Sequence, residues 1–316
     1  MDRGITIILN LASNLCNMQC LYCYEHNFSK YNKINNLTYA KLDEVKEYLS
    51  QFKEYPYILI LFHGGEPLLF GKDNLENIFY FIKNNFRNKY RIQVQTNGTL
   101  IDNDFIEIFL KYGVEVSISL DPYGIRDLRK SENFEYRNIV INNMLMASNR
   151  LSNIGVVSVA HKYNLNYFKE FIDELIKYNI KYLTINKIRY SEHYTNFYIT
   201  EKEYNDMLKE LLLYWIKHKK YKLIDIQPFI SLLTDHKICI YSSDKNKCNY
   251  FRTFYNKEYN TNYCSHIIND IPTIDNKCQK CYIYEWCGSG CLVEYKDNTF
   301  CNSRKDFKKF LGTIHL

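Results

Sequence analysis

The chain has 316 residues, with 41 Lys and Arg against 35 Asp and Glu, and its formal net charge of +6 is spread along the sequence. No apolar stretch approaches the roughly 20 residues that a membrane-spanning helix needs, and the first residues do not have the pattern of a secretory signal. A long basic run, or a stripe of aromatic and basic residues, is also missing, which argues against nucleic-acid binding. We therefore expect a cytoplasmic protein with no membrane or nucleic-acid partner.

The first two-thirds of the chain alternate short β-rich apolar runs with longer amphipathic segments. Strands are predicted near Ile5–Leu11, Tyr57–Phe62, Arg91–Gln95, Val114–Leu120, Gly155–Ala160 and Tyr182–Ile185. Helices are predicted near Leu42–Phe52, Leu75–Asn85, Asn103–Lys111, Arg137–Asn149, Tyr167–Tyr178 and Glu201–Lys217. Serial β–α units indicate a parallel sheet with right-handed crossovers. The predicted class is α/β, a partial (β/α)6 TIM-like barrel.

After about Leu223 this rhythm stops, and the remainder is short, polar and rich in cysteine. Eight of the eleven cysteines lie between Cys239 and Cys301. In a reducing compartment clustered cysteines bind metal more often than they form disulfides, and a segment with so few aliphatic residues needs such a centre in order to fold. We predict a barrel domain at 1–222 and a small Cys-rich C-terminal auxiliary-cluster domain at 223–316.

The unusual residues of the barrel fall just after its strands, where the active site of such folds is built. Three cysteines, Cys16, Cys20 and Cys23, follow the first strand with three and then two residues between them. A loop of this length can place three thiolates around one face of a cubane [4Fe–4S] cluster and leave the fourth iron open to a ligand. A zinc site is the alternative that this spacing alone leaves open.

This pattern resembles the signature of the radical S-adenosylmethionine (SAM) superfamily, and the later motifs follow in order. The resemblance implies that Cys16, Cys20 and Cys23 are the catalytic cluster ligands, and that the open iron binds S-adenosylmethionine and cleaves it to a 5′-deoxyadenosyl radical. It also implies a set of cofactor-binding residues. They are Tyr22 beside the adenine, Gly64, Gly65 and Glu66 of the Gly-Gly-Glu-Pro motif, Asn97 after the third strand, and Ser119 at the ribose.

The tail resembles the SPASM extension, which holds two auxiliary [4Fe–4S] clusters. The resemblance implies one ligand set of Cys239, Cys248, Cys264 and Cys291 and a farther set of Cys278, Cys281, Cys287 and Cys301. All eleven cysteines then hold three [4Fe–4S] clusters. Two departures concern hairpin geometry: Tyr259 replaces a customary glycine, and the gap before Cys301 is short. Cys239 has a second interpretation, as a free thiol that donates a hydrogen atom, and the tail by itself also fits two zinc sites.

Relatives with this extension mostly modify ribosomal peptides, so the resemblance implies a peptide-modifying oxidoreductase that abstracts a hydrogen atom and closes a thioether or carbon–carbon crosslink. Its expected partners are a precursor peptide and a flavodoxin- or ferredoxin-type electron donor. Because the first strand begins within about five residues of Met1, we expect the leader peptide to be recognised by the barrel itself or by a separate leader-peptide-binding protein. The alternatives are a peptide epimerase and a sulfatase-maturase-like protein oxidase. Ser265 argues against the latter, because that family has an aspartate directly after the cysteine matching Cys264. A zinc-stabilised peptide- or nucleic-acid-binding protein is the non-enzyme alternative.

Two further residues near the motifs have open interpretations. His63 precedes the Gly-Gly turn and either lines the pocket or is a structural histidine. Arg129 follows the fourth strand and either reaches the cofactor carboxylate or forms a surface ion pair.

Overall fold

A computed structural model of the chain describes residues 4–13, 15–25, 39–87, 89–130, 135–234, 250–255, 274–291 and 294–314. The chain divides into two compact units. The first comprises Met1–Ser119, Arg129–Gly155 and Asn246–Ile268, and the second comprises Leu120–Leu128, Val156–Lys245 and Asn269–Leu316. The predicted domain boundary after residue 222 remains a prediction.

Eight strands and ten α-helices lie in the described residues. The strands are β1 Ile5–Asn10, β2 Ile58–His63, β3 Tyr90–Thr96, β4 Glu115–Ser119, β5 Ile154–Ala160, β6 Tyr182–Lys187, β7 Asp225–Gln227 and β8 Phe251–Phe254. The helices are α1 Leu42–Ser50, α2 Lys72–Asn85, α3 Asn103–Tyr112, α4 Tyr136–Ser148, α5 Phe168–Lys177, α6 Glu201–Lys217, α7 Phe229–Leu233, α8 Asn276–Gln279, α9 Tyr284–Cys287 and α10 Phe300–Leu311. None of these helices is long and apolar enough to cross a bilayer.

Local sequence explains where the long helices begin and end. The hydroxyl of Thr200 accepts a hydrogen bond from the backbone N–H of Glu203, and the Glu203 side chain accepts one from the backbone N–H of Thr200, which together form a capping box that starts α6. At α3 the Asp102 side chain accepts a hydrogen bond from the backbone N–H of Phe105, and Gly113 ends that helix in the left-handed conformation at φ +63°. These signals are local, so the sequence places both helices accurately.

The strands pair in parallel within each unit, and neither set closes on itself. In the first unit the order is β8-β1-β2-β3-β4, and in the second it is β5-β6-β7. Helices separate the strands along the chain, as parallel pairing requires. The predicted α/β partial barrel is therefore confirmed.

The register of the first unit brings the carboxyl ends of its strands to one edge. Asn10 at the end of β1 pairs with His63 at the end of β2, and Thr96 near the end of β3 pairs with Ile118. Buried apolar residues such as Ile60 and Phe62 fill the strands below this edge. The loops that follow β1, β2 and β3 consequently lie side by side.

The tail contributes more regular structure than its composition indicated. Strand β8 pairs in parallel with β1, and β7 pairs in parallel with β6. Each is only three or four residues long. Such strands are stabilised by pairing with distant segments, so they carry too short a pattern to be predicted from periodicity.

Helix α10 is held to α6 within the second unit by buried polar contacts. Arg304 Nε lies 2.5 Å from Glu201 Oε1, and the two side chains are 4% and 5% exposed. Lys187 Nζ lies 3.2 Å from the other Glu201 oxygen, and Asn205 donates a hydrogen bond to the Ser303 hydroxyl. Removal of one partner of a buried ion pair leaves an uncompensated charge in the protein interior.

We expect Arg304→Met to lower the free energy of unfolding by about 3 kcal/mol, the lower end of the range for breaking a buried pair, because Lys187 still faces Glu201. Urea unfolding followed by circular dichroism measures this. The control is Lys202→Met, which removes an exposed pair with Asp206 on the same helix and should cost less than about 1 kcal/mol. Equal losses of unfolding free energy in the two variants would show that the buried ion pair contributes no more stability than the exposed one.

A second buried titratable group lies just after β5. His161 is buried, and its Nδ1 accepts a hydrogen bond from the backbone N–H of Tyr163. Burial lowers the pKa of His161, and the charges of Asp121 and Asp127 oppose this only in part. Because the unfolded chain binds this proton more readily, stability is expected to fall as the pH drops below about 6.5.

The variant His161→Gln should therefore lose less stability than the parent between pH 7.5 and pH 5.5. Urea midpoints at the two pH values test this, with the exposed His218→Gln as the control that keeps the parent's pH dependence. A parent-like slope in His161→Gln would contradict the assignment of the pH dependence to this residue.

Candidate active site at the carboxyl ends of the first three strands

The loop after β1 carries the three predicted cluster cysteines. The backbone N–H of Met18 donates to Cys16 Sγ at 3.4 Å, and the backbone N–H of Cys23 donates to the carbonyl of Cys20 at 3.1 Å. The Met18 side chain is buried, whereas all three thiols are partly exposed. The loop is thus anchored by its apolar residue, while its three cysteines remain partly accessible.

The Gly-Gly turn after β2 packs directly against this loop. Gly64 and Gly65 have φ values of +77° and +48°. A Cβ atom at Gly64 would lie 2.0 Å from the Asn10 side chain, and one at Gly65 would lie 2.3 Å from the Leu15 carbonyl oxygen. Only glycine combines this backbone conformation with this close approach. The turn therefore supports the cysteine loop through the backbone.

Glu66 is fully buried and joins the ends of β2 and β3. Its Oε1 accepts hydrogen bonds from the Leu68 N–H at 3.0 Å and the Thr96 hydroxyl at 2.6 Å, and its Oε2 accepts one from the Asn97 N–H at 2.7 Å. Burial raises the pKa of Glu66, and these donors and the charge of Arg129 offset that effect in part. A carboxylate has about four acceptor positions, and three are used here.

Asn97 links the third strand to the cysteine loop. Its Nδ2 donates to Asn17 Oδ1 at 2.8 Å and lies 3.6 Å from Cys16 Sγ, and its Oδ1 accepts from the Thr99 hydroxyl at 2.6 Å. Asn17 Nδ2 in turn donates to that hydroxyl at 2.8 Å. This closed ring of hydrogen bonds directs an amide donor at a sulfur atom.

The chemistry of this donor set fits an iron–sulfur cluster. Burial raises the pKa of Cys16 to about 11, and the charges of Glu66 and Cys20 act in the same direction, against hydrogen bonds from Met18 and Asn97. A thiolate in such surroundings requires a bound cation to replace its proton. In the described segments no three His, Cys, Asp or Glu side chains converge closely enough to hold a metal ion. The fit therefore rests on the three thiols and the amide donor, since each cysteine of a cubane binds a separate iron.

Tyr22 and Arg129 form the buried wall of the site. Arg129 Nη1 donates to the Tyr22 hydroxyl at 3.3 Å, and both side chains are buried. The interpretation of Arg129 as a member of a surface ion pair is therefore wrong. Its positive charge acts on Glu66. Ser119 ends β4 and is partly buried.

A polar network that the motifs did not reveal surrounds His63 at the end of β2. His63 Nδ1 lies 3.9 Å from Glu25 Oε1, and its ring stacks on Tyr24 with the centroids 6.2 Å apart. Asn10 Nδ2 donates to the other Glu25 oxygen at 3.3 Å. The available signal was that two apolar strands end on polar residues, β1 on Asn10 and β2 on His63, but the partner Glu25 could be found only from the three-dimensional structure.

The cysteine-rich tail places further thiols around one small core of the second unit. Cys287 packs in a small core with Ile283 and Phe300, and Cys281 lies against the same core. Burial raises the pKa of Cys287, Arg304 opposes this, and the charges of Cys301 and Cys278 raise it further. The four cysteines of the predicted farther set therefore lie near one core. Cys239, Cys248 and Cys264 of the other set lie outside the described residues, and Cys291 borders a cavity with Tyr190 and Tyr295.

Comparisons with known proteins agree with this arrangement. A model of the radical SAM superfamily matches residues 11–180. A cysteine-type anaerobic sulfatase-maturating enzyme of Clostridium novyi (strain NT) is 24% identical, with 96% of this chain and 94% of that protein covered. The structure of native anSMEcpe with bound AdoMet and Cp18Cys peptide superposes with a TM-score of 0.76 at 17% identity, covering 98% of this chain and 97% of that one. Streptococcus suis SuiB bound to S-adenosylmethionine gives a TM-score of 0.68 at 14% identity, covering 95% and 78%.

Proposed function

Because the chain belongs to the radical SAM superfamily, we propose that it modifies a ribosomally made precursor peptide by hydrogen abstraction and closes a thioether or carbon–carbon crosslink. The observation that carries this proposal is the contact among the loops that follow β1, β2 and β3 in the first unit. There the Cys16 thiol, the buried carboxylate of Glu66 and the amide of Asn97 belong to one hydrogen-bonded assembly, and Cys20 and Cys23 lie on the same short loop as Cys16. Such an assembly suits a cluster with an open iron and an amino-acid ligand beside it.

The peptide class of the substrate is supported by the relatives. The Clostridium novyi relative is named for the maturation of another protein, and the anSMEcpe structure contains a peptide. Both names refer to a polypeptide, which is matured in the first case and bound in the second. The particular residue and bond in this chain's substrate are our proposal.

The family implies a [4Fe–4S] cluster and S-adenosylmethionine. When bound, they supply a carbon radical that removes a hydrogen atom from the substrate. We assign Cys16, Cys20 and Cys23 to the cluster. The cofactor is assigned to the glycine turn, Glu66, Asn97, Ser119 and Tyr22, where the backbone of Gly64 and Gly65 allows close approach and Arg129 contributes positive charge.

Two auxiliary clusters in the tail complete the proposal. The farther set is supported by the packing of Cys281 and Cys287 at one small core and by the charges of Cys278 and Cys301, which raise the pKa of Cys287. The nearer set includes three cysteines outside the described residues and is supported only by the resemblance to the SPASM extension. We further propose a flavodoxin- or ferredoxin-type electron donor, a separate leader-peptide-binding protein and the cytoplasm as the compartment, since reduced cysteines are required.

The test is an anaerobic assay of the reconstituted protein with S-adenosylmethionine, dithionite and a short precursor peptide encoded beside its gene. Crosslinking predicts that the peptide loses two hydrogen atoms, measured by mass spectrometry, with one 5′-deoxyadenosine released per peptide. Epimerisation instead predicts no loss of mass in ordinary water and uptake of one solvent deuterium in heavy water. Absence of 5′-deoxyadenosine with every peptide tried would overturn both enzyme assignments.

A further inference from the structure

The loop that follows β4, residues 120–128, presents two large apolar side chains to solvent. Tyr123 is 71% exposed and Ile125 is 77% exposed. Leu213, which is 50% exposed, lies on the outer face of a helix, and Tyr282 and Tyr295, at 81% and 54%, are single exposed side chains outside helices. Isolated exposed apolar side chains of this kind are ordinary. Tyr123 and Ile125, by contrast, are separated by a single residue and lie on a loop at the carboxyl end of a strand. Helix packing therefore does not explain their exposure.

The exposure of these side chains does not come from a loosely attached backbone. The backbone N–H of Ile125 donates to the carbonyl oxygen of Tyr163 at 3.0 Å. Gly124 lies so close to the same carbonyl that a Cβ atom would be 2.3 Å from it. The protein therefore holds the middle of the loop against the segment after β5 and directs the flanking Tyr123 and Ile125 outward.

The neighbouring exposed charges on the loops after β4 and β5 are positive. The guanidinium of Arg126 lies 5.8 Å from the centre of the Phe197 ring, and the backbone N–H of the exposed Lys162 donates to the Phe197 carbonyl at 3.0 Å. Asp127 is partly buried, and its charge acts on His161. The segment after β6, which contains Phe197, carries an exposed negative charge as well, because the exposed Glu192 lies five residues before Phe197 in the sequence.

We define the Tyr123 surface as Tyr123, Ile125, Arg126, Lys162 and Phe197. Its three segments follow the carboxyl ends of β4, β5 and β6, the edge at which parallel α/β proteins bind substrates. A guanidinium stacked on an aromatic ring is already oriented, so it loses little freedom when its N–H groups bind a carboxylate. The surface thus combines apolar area with a prepared anion-binding group.

We infer that the Tyr123 surface docks a segment of the peptide substrate that carries apolar side chains at alternate positions and carboxylates between them. This inference rests on the proposed function, because it assumes a peptide substrate. Tyr123 and Ile125 would bury apolar area against the peptide. Arg126 and Lys162 would pair with its acidic residues and oppose basic ones.

The experiment uses three fluorescein-labelled probes and fluorescence anisotropy. The first probe is Gly-Leu-Glu-Leu-Glu-Leu-Gly, the second has serine in place of leucine, and the third has lysine in place of glutamate. The unaltered protein should bind the first probe at least about tenfold more tightly than the others, since a tenfold ratio needs only about 1.4 kcal/mol. Equal binding of all three probes would overturn the inference.

Two sets of variants locate the binding. Tyr123→Ser combined with Ile125→Ser should weaken binding of the first probe about tenfold, whereas Leu213→Ser on the outer face of α6 should not change it. Arg126→Glu combined with Lys162→Glu should reverse the preference toward the lysine probe. This reversal is a gain of binding, which a damaged fold cannot produce. A parent-like preference in both double variants would place peptide docking elsewhere.

The outcome is separable from that of the proposed function. Probe binding requires no cofactor cleavage, and 5′-deoxyadenosine release requires no probe. Cofactor cleavage and peptide modification without any probe preference would overturn only the docking surface. Selective binding by a protein that does not cleave S-adenosylmethionine would overturn the catalytic proposal and leave the surface as a peptide-binding site.

Discussion

Replacing Cys16, Cys20 and Cys23 together with alanine is expected to abolish 5′-deoxyadenosine formation, to below about one-hundredth of the parent rate. The three thiols are the only protein ligands that the proposal gives to the catalytic cluster, and a cluster without its thiolates is not retained. Liquid chromatography of the nucleoside products measures the rate. Iron per chain should fall from about twelve atoms to about eight, because the tail cysteines are unchanged.

The control for this variant is Ser50→Ala at the exposed end of α1, whose hydroxyl donates to the Lys46 carbonyl of the same helix. It should keep the parent's rate and iron content. Unchanged cofactor cleavage in the triple variant would refute the assignment of the loop after β1. Loss of all iron would instead show that the tail does not hold its clusters independently. Zinc in place of iron in the reconstituted parent would favour the non-enzyme alternative.

Glu66→Ala is expected to lower the free energy of unfolding by roughly 3 kcal/mol. The change leaves the N–H groups of Leu68 and Asn97 buried without their acceptor, and an unsatisfied buried donor costs about 1–3 kcal/mol. The Thr96 hydroxyl also loses its acceptor but remains an acceptor for the Gly98 N–H. Relief of carboxylate burial offsets part of the loss. Urea unfolding of the parent and the variant measures the difference.

The matched control is Glu76→Ala on α2. Glu76 pairs with Lys111 across an exposed surface, with side chains 33% and 60% exposed, and such pairs contribute less than about 1 kcal/mol. If the two alanine variants lost equal stability, the buried hydrogen bonds of Glu66 would not stabilise the connection between the Gly-Gly turn and the end of β3. A large loss for Glu66→Ala, together with weakened S-adenosylmethionine binding, would support both of its assigned roles.

Much of the barrel could be predicted from local patterns. The predicted helix Glu201–Lys217 agrees with α6 at both ends, and its start is marked locally because Thr200 and Glu203 form a capping box. The predicted strand near Tyr57–Phe62 differs from β2 by one residue at each end. A buried apolar run between turn residues marks such a strand without knowledge of its neighbours.

The elements that were missed depend on pairing between distant parts of the chain. Strand β8 is stabilised by its parallel pairing with β1, although about 240 residues separate them. Helix α10 is held by Arg304, whose partner Glu201 lies at the start of α6. Neither contact leaves a periodic signal in its own segment, so reading the chain in order does not reveal it.

The sequence by itself determined the chemistry that this protein has available: three thiols on one short loop, a glycine turn with an acid, and a tail of clustered cysteines, because residue type and spacing are properties of the covalent chain. Only the tertiary structure decided what each group contacts. Glu66 is buried under three donors, the Asn97 amide faces Cys16, and Arg129 is buried beside Tyr22. Burial and hydrogen bonding are set by segments remote in sequence, and they control the pKa and orientation of each group.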